Sequence, residues 1–85
     1  MAYQVEVGEK AARRLSRLPA KHRRQVLRRI TDLRLDPRPP QSAKLQVLNG
    51  CRLRCSEYRI LYTVDDGASL IRVYLIMQRG EGYPE

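Results

Sequence analysis

The sequence predicts an α+β domain in which two N-terminal helices pack on a mostly antiparallel sheet, with the element order β-α-α-β-β-β-β. Three observations support this prediction. Apolar residues alternate with polar ones near the N-terminus, recur at helical spacing over roughly residues 9–35, and alternate again after a proline-rich loop. The 85 residues are expected to form a single domain, residues 1–85, with a thin hydrophobic core.

The first part of the chain predicts a strand followed by a helix. Tyr3, Val5 and Val7 alternate with polar residues, which is typical of a short half-buried strand. The period becomes helical at Glu9, and Pro19 ends or interrupts this helix because proline lacks a backbone donor. The apolar positions of the first helix are Ala11, Ala12, Leu15 and Leu18.

A second helix is predicted from about Ala20 to Leu35, with basic residues on the side opposite its apolar stripe. The stripe consists of Val26, Leu27, Ile30 and Leu33. The segment DPRPPQ, residues 36–41, ends this helix, because each proline removes a donor and restricts the residue before it.

The rest of the chain has the pattern of a sheet. Strands are predicted at AKLQVL (43–48), CRLRC (51–55), YRILYTV (58–64) and SLIRVYLIM (69–77). Asn49-Gly50 and Asp65-Asp66-Gly67 are turn signals between these strands. The tail from Gln78 onward is too polar and too rich in glycine to continue a buried strand.

The charge of the chain is strongly positive and unevenly distributed. It has 17 lysines and arginines, 14 of them arginine, against 9 acids, and its net charge is +8. Residues 8–38 hold eleven basic residues and three acids, so the helical segment accounts for the whole excess. Such a field favours an anionic partner, either nucleic acid or an acidic protein. The alternative is a pair of solvated helix faces.

Three further arginines lie in the predicted hairpin CRLRCSEYRILY, residues 51–62. If Ser56-Glu57 is the turn, Cys55 faces Tyr58 and Arg54 faces Arg59. One side of the hairpin then carries an apolar set, Cys51, Leu53, Cys55, Tyr58, Ile60 and Tyr62, and the other carries Arg52, Arg54 and Arg59. Like charges opposite each other destabilise a sheet, which favours a bound anion there. The alternative is an open face whose arginines pair with Glu57, Glu81 or solvent.

The remaining reactive residues predict neither a metal centre nor a cofactor. Cys51 and Cys55 would be about 13 Å apart along a strand, which is too far for a disulfide. We expect both to be buried, reduced thiols. His22, the only histidine, is expected to be a surface residue of the second helix. Two cysteines with one distant histidine make a poor zinc set, and the scattered acids do not form a magnesium site.

No part of the sequence predicts a membrane segment or a secretory signal. The N-terminal stretch MAYQVEVGEK is alternating and polar, and no window approaches 18 apolar residues. Together with the reduced cysteines, this predicts a cytoplasmic location.

One phosphodiester reaction fits these residues. RNA supplies its own nucleophile, the 2′-hydroxyl, so an enzyme can act by aligning it and neutralising charge in the transition state. Fixed arginines can provide that charge, although arginine is a poor general base. Tyr83, near Arg79 in the tail, is a candidate proton donor or stacking platform for a base. Glu57 or Glu81 is a candidate base.

The sequence also resembles the RelE/ParE toxin superfamily over essentially its whole length. The segments that carry the resemblance are YQVEVGEKAARRLSRLP, DPRP, KL, RLRCSEYRILYTVDD and MQRGEGY, in this order. The match is closest to RelE-type mRNA interferases. This resemblance implies a toxin of a type II toxin–antitoxin pair that cleaves mRNA in the ribosomal A site without a metal, through the 2′-hydroxyl. It also implies a cognate antitoxin that is small, acidic and RelB-like.

The resemblance assigns functional positions residue by residue. The catalytic positions of the family match Arg52, Arg54, Arg59, Arg79 and Tyr83. Separately, the charge of the helices makes Arg13, Arg14, Arg17, Arg24 and Arg28 the candidates for binding RNA or the ribosome.

Two departures from the family pattern concern proton transfer. Many relatives have a histidine where this chain has Gln78, and some have lysines in place of Arg52 and Arg54. These differences favour charge neutralisation over proton transfer as the role of the site. Two alternatives stay open: a ParE-like inhibitor of DNA gyrase that acts by protein contact without nuclease activity, and a diverged nucleic-acid-binding domain.

Overall fold

The computed structural model describes residues 2–81, and their helices and strands follow the predicted order. The elements are β1 Gln4–Val7, α1 Glu9–Arg17, α2 Ala20–Asp32, β2 Ser42–Lys44, β3 Gly50–Cys55, β4 Tyr58–Asp65 and β5 Leu70–Gln78. The predicted fold class, two helices on a mostly antiparallel sheet, is confirmed.

The five strands form one sheet in the order β1-β5-β4-β3-β2. The pairs formed by β2, β3, β4 and β5 are antiparallel, whereas β1 runs parallel to β5. Because β1 is short, it pairs only with residues 70–73, the first half of β5. Helix α1 follows β1 directly and packs beside β5.

Helix α1 ends at Arg17, just before the predicted break at Pro19, and helix α2 ends three residues earlier than predicted. Glu9 in the first turn of α1 and Arg14 and Arg17 in the last turn complement the helix dipole. Arg23 of α2 donates to the carbonyl oxygen of Leu18 at 3.1 Å, which satisfies a carbonyl just after the end of α1. Helix α2 ends at Asp32 rather than Leu35, because the next residues close tighter turns with bonds to the carbonyls of the last helical residues.

The core lies between the helices and one face of the sheet. Each predicted apolar stripe includes one residue that the structure leaves outside the core. Ala12 of α1 is exposed, and Leu27 of α2 is 43% exposed. The helices and the residues that cap their C-terminal ends contribute Ala11, Leu15, Leu18, Val26, Ile30 and Leu33 to the core. Tyr62 of β4 is fully buried, and its hydroxyl donates to the carbonyl oxygen of Pro37 at 2.7 Å. This bond joins the proline-rich loop to the sheet, and burial raises the pKa of Tyr62.

The β3–β4 hairpin has the predicted register. Cys55 pairs with Tyr58 and Arg54 with Arg59, so Ser56 and Glu57 form the turn. Ser56 adopts a φ of 56°, a left-handed conformation that suits a two-residue hairpin turn. The predicted apolar side of the hairpin is buried, and both cysteines are buried free thiols, as expected.

The prediction for β2 is wrong in length. The strand covers Ser42–Lys44 rather than residues 43–48, because the chain already turns back after Leu45. The Leu45 N–H donates to the Gly50 carbonyl at 2.9 Å, and Asn49 adopts a φ of 58°. Leu45 is buried in this turn, whereas Leu48 is 89% exposed.

Gly50 offers a test of how tightly this turn is packed. A Cβ atom at Gly50 would lie 2.2 Å from Val47 Cγ2 and 3.3 Å from the Val47 carbonyl oxygen. We expect Gly50→Ala to lower the free energy of unfolding by about 1–3 kcal/mol, measured by urea denaturation. Gly67→Ala is the matched control, since the nearest atom lies 3.5 Å away. Equal stabilities of the two variants would contradict the packing at Gly50.

Candidate functional site

The sheet face opposite the helices carries the three hairpin arginines. Their neighbours along the strands point into the helical core, so Arg52, Arg54 and Arg59 point to the other face. Arg54 lies directly opposite Arg59, which puts their Cβ atoms about 5 Å apart. Arg52 lies two residues along the same strand, about 7 Å from Arg54. The predicted clustering of these three residues is therefore confirmed, and we call this surface the arginine face.

The arginine face has an apolar centre that the sequence analysis missed. Leu61 and Met77 are 0% and 9% exposed, and they pack with Leu45 in a cluster separate from the helical core. Arg52 pairs with Leu61 across the strands, and Arg59 pairs with Met77. An apolar neighbour displaces water from beside each guanidinium, which strengthens its attraction for an anion.

A β-bulge in β5 enlarges this apolar cluster. Leu61 pairs with Leu75 while Tyr62 pairs with Val73, so Tyr74 has no opposite residue on β4. Both Tyr74 and Leu75 pack against the cluster. The long apolar run SLIRVYLIM is the sequence signal that could have revealed this cluster, because consecutive apolar residues alternate between the two faces of a strand.

The arginines of the face differ in what they contact. The Arg59 guanidinium donates to the carbonyl oxygens of Tyr58 at 3.0 Å and Ser56 at 3.3 Å, so it folds back on the hairpin turn. Arg54 is exposed, and no acid among residues 2–81 lies within ion-pair distance of it. Arg52 is half-buried and has interactions of its own. Arg54 is thus the best placed of the three to receive an anion from solvent.

A groove at the edge of the sheet leads to these side chains. Its volume is about 290 Å³, and its walls are Pro40, Gln41, Ser42, Ala43, Arg52 and Arg54. The Arg54 N–H donates to the Gln41 carbonyl at 3.3 Å, which holds the proline-rich loop beside β3. The loop thereby forms one wall of a groove whose other wall is positively charged.

Arg79 lies next to the hairpin turn, just beyond the end of β5. Gln78 pairs with Tyr58, and the Arg79 N–H donates to the Glu57 carbonyl. Arg79 is therefore at the same end of the sheet as the Arg54–Arg59 pair, and its side chain is exposed. Tyr83, the fifth predicted catalytic residue, lies outside the described residues.

The candidate acids and bases lie away from the centre of the face. Glu81 accepts hydrogen bonds from Arg14 at 2.7 Å and from the Gln78 N–H at 2.6 Å. The Arg14 guanidinium and this backbone bond hold the pKa of Glu81 below its usual range. Glu57 Oε1 is 4.0 Å from His22 Nε2. Neither carboxylate contacts Arg52, Arg54 or Arg59 through its side chain among the bonds described.

His22, predicted as a surface residue of the second helix, lies on α2 and is half-buried. Its ring packs edge-on against Tyr58 with a centroid distance of 5.2 Å, and Tyr58 belongs to the helical core. The histidine thus lies on the helical side of the sheet, opposite the arginine face. Its Nδ1 atom is buried without a hydrogen-bond partner among the described residues.

The helical arginines fall into two groups. Arg13, Arg14 and Arg17 line a groove of about 350 Å³ with Lys10, Leu75 and Ile76, so α1 brings its charge next to the apolar cluster of the arginine face. Arg24 and Arg28 are exposed on α2, which packs against the helical side of β3. They face away from the arginine face, and the structure does not bring them to it.

Residues 2–81 contain neither a cluster of metal-binding side chains nor a membrane-spanning helix. No three side chains of histidine, cysteine, aspartate or glutamate come close enough together to hold a metal ion. No helix in this part of the chain has the length and apolarity needed to cross a membrane.

The fold and the face can be compared with known proteins. No protein-family model matches the chain, and no curated protein sequence matches it. Solved structures do match. A chain of the archaeal RelE–RelB complex from Pyrococcus horikoshii OT3 superposes with a TM-score of 0.86 and 26% identity, and the match covers 96% of this chain and all of that one (100%).

Two bacterial structures agree with this match. A chain of the toxin–antitoxin complex RelBE2 from Mycobacterium tuberculosis has a TM-score of 0.82 at 24% identity, over 93% of this chain and 100% of that chain. The isolated E. coli RelE toxin has a TM-score of 0.80 at 21% identity, over 95% and 88% of the two chains. The chain described here therefore has the RelE-type toxin fold.

The opposed arginines predict a measurable strain in the free protein. We expect Arg54→Gln to raise the free energy of unfolding by about 0.2–1 kcal/mol at low ionic strength, because it removes like-charge repulsion from Arg59. This increase in the free energy of unfolding should be smaller in 1 M salt, where the Debye screening length is about 3 Å. The measurement is urea denaturation at both salt concentrations.

The control for this prediction is Lys44→Gln, which removes one positive charge opposite a neutral cysteine on the neighbouring strand. It corrects for the general repulsion within a chain of net charge +8. If Arg54→Gln stabilises no more than this control does, the two guanidiniums do not repel each other appreciably.

Proposed function

We propose that the chain is the toxin of a type II toxin–antitoxin system and a ribosome-dependent endoribonuclease that cleaves mRNA in the A site. The observation that carries the proposal is the Arg54–Arg59 pair, which lies beside Arg52 on a sheet face that the helices leave uncovered. The RelE-type toxin fold supports the toxin class. The cleavage itself is an inference from the chemistry of the face.

The reaction proposed is an in-line attack within the RNA. The 2′-oxygen forms a bond to the adjacent phosphorus, the bond from phosphorus to the 5′-oxygen breaks, and a 2′,3′-cyclic phosphate remains. The 2′-hydroxyl loses its proton, and the departing 5′-oxygen gains one. Arg52, Arg54 and Arg59 neutralise the charge that develops on the phosphoryl oxygens. No metal ion is required, because the substrate carries the nucleophile.

The arginines act as fixed charges rather than as proton carriers. Arginine stays protonated at any physiological pH, so it stabilises an anion without accepting its proton. Glu81 is a poor base, because Arg14 and a backbone N–H stabilise its ionised form. Arg79 at the end of β5 adds a further positive charge, and Tyr83 is proposed as a proton donor or as a platform for an unstacked base.

The helical arginines are proposed to bind ribosomal RNA from two directions. Arg13 and Arg17 extend the arginine face along α1, on either side of Arg14, whose guanidinium is paired with Glu81. Arg24 and Arg28 form a separate basic surface on α2. Phosphate contacts of this kind are insensitive to sequence and weaken as salt rises. They suit a protein that must reach mRNA on the ribosome, in the cytoplasm.

The direct test of cleavage is induced expression followed by mapping of mRNA 5′ ends. We expect cuts within translated codons that disappear with Arg59→Ala or Arg79→Ala, since each loss of transition-state charge should lower kcat on the order of 100- to 1,000-fold. Arg72→Ala is the control, because Arg72 pairs with Glu6 at the other end of β5. On purified ribosomes programmed with mRNA, a 2′-deoxy substitution at the cut should abolish cleavage.

A different pattern would contradict the nuclease. Supercoiling defects or DNA breaks with intact mRNA would favour the alternative, a ParE-like inhibitor of DNA gyrase that acts by protein contact. Cleavage that is equally strong in Arg59→Ala, Arg79→Ala and the control would remove the arginine face from the mechanism.

A cognate antitoxin is the second partner that we propose. Two of the solved structures named above contain a RelE chain together with its antitoxin. We expect a small acidic RelB-like protein, encoded beside this chain, to bind it tightly and to relieve growth arrest on co-expression. Charge complementarity predicts that association slows as salt rises, measurable by stopped-flow kinetics. A chain that is harmless and has no such neighbour would contradict the toxin class.

A further inference from the structure

Three hydrogen bonds hold the turn that carries Arg79. The Arg79 N–H donates to the Glu57 carbonyl of the hairpin turn, and the Glu81 N–H donates to the Gln78 carbonyl at 3.1 Å. The third bond uses a side chain, because the Glu81 carboxylate accepts the Gln78 N–H at 2.6 Å. Gly80 between them has a φ of 96°, a conformation that side chains disfavour. Residues 78–81 therefore form a compact turn that Arg79 joins to the hairpin and that the Glu81 side chain joins to whatever holds its carboxylate.

Glu81 is held by helix α1. Its Oε1 lies 2.7 Å from Arg14 Nη2, and its Oε2 lies 3.4 Å from Arg14 Nη1. The two bonds form a fork between guanidinium and carboxylate, a geometry that fixes orientation as well as distance. Arg14 thus links the helix to the turn, and it is 67 residues away from Glu81 in the chain.

Arg14 differs from its basic neighbours on α1. Arg13 is exposed, and its guanidinium is 3.7 Å from Glu9 within the same helix. Arg17 is exposed and has no acid within ion-pair distance among residues 2–81. Arg14 is half-buried, and its charge is already matched by a carboxylate. The Arg14 side chain is therefore occupied by an ion pair within the protein, whereas those of Arg13 and Arg17 can bind an external anion.

We infer that Arg14 is a positioning residue for Arg79: through Glu81, it holds the turn 78–81 so that Arg79 stays beside the Arg54–Arg59 pair. This inference rests on the proposed function, because it gives Arg79 a place in the reaction. Small displacements of a catalytic charge have large effects, on the order of 100-fold in rate for about 1 Å. Ion pairs at a protein surface add little to the free energy of unfolding. We therefore expect loss of the Arg14–Glu81 pair to loosen the turn 78–81 without unfolding the domain.

The structural arm of the test does not depend on any activity. Amide hydrogen exchange of the purified chain is compared for the wild type, Arg14→Ala and the control Arg72→Ala, which removes another exposed arginine–glutamate pair. We expect loss of protection at Gln78 and Arg79 in Arg14→Ala alone, with the rest of the sheet unchanged. Unchanged protection at both amides would overturn the inference.

The kinetic arm measures cleavage of mRNA on programmed ribosomes by the same proteins. We expect Arg14→Ala to lower kcat between about tenfold and 100-fold with little change in KM, and Arg14→Lys to restore most of it by keeping a charged donor for Glu81. Glu81→Ala should reproduce the loss. The double variant Arg14→Ala/Glu81→Ala should be no worse than Glu81→Ala, because the two residues act in series.

The outcomes separate this inference from the proposed function. Additive losses in the double variant, or a higher KM with kcat unchanged, would mean that Arg14 binds RNA directly, and would overturn the positioning role. If Arg79→Ala cleaves RNA as fast as the wild type, the role of Arg79 in the proposed function fails, whatever hydrogen exchange shows. Loss of cleavage in Arg79→Ala with full activity in Arg14→Ala would overturn the inference and leave the proposed function intact.

Discussion

The register of the β3–β4 hairpin decides what each face of this protein presents. Side chains in a strand alternate between faces, so a slip of one residue would exchange the arginines with the core. The turn at Ser56 and Glu57 pairs Cys55 with Tyr58, and the apolar side of the hairpin then faces the helices. Arg52, Arg54 and Arg59 are left together on the other face. The core and the candidate site thus depend on the same set of backbone hydrogen bonds.

A chain this small can tolerate the opposed arginines because the cost is modest. A like-charged cross-strand pair costs about 0.2–1 kcal/mol, whereas domains are stable by about 5–15 kcal/mol. The apolar cluster of Leu45, Leu61 and Met77 offsets part of that cost, since it adds a second buried region on the arginine face. The cluster supplies the cross-strand neighbours of Arg52 and Arg59, so the residues that stabilise this side of the sheet also lie next to its charged side chains.

Most of the fold and the centre of the candidate site could be predicted from local patterns. Alternation and helical spacing gave the element order, and strand pairing around Ser56-Glu57 gave the arginine cluster. The errors lie where tertiary contacts override those patterns. β2 is short because Leu45 turns back toward Gly50, and Leu27 is exposed although it fits a helical stripe. The contact of the half-buried His22 with Tyr58 is a further feature that no spacing within α2 could indicate.

The sequence by itself determined the class of fold, the hairpin register and the separation of charge between helices and sheet. These features depend on periodicities of two and 3.6 residues and on turn residues, all of which are local. Only the tertiary structure decided that Arg14 reaches Glu81, that α1 lies beside the second half of β5, and that Leu45, Leu61 and Met77 meet. Each of these contacts joins segments far apart in the chain. Whether such segments meet depends on how the helices dock on the sheet and on how the strands are ordered within it.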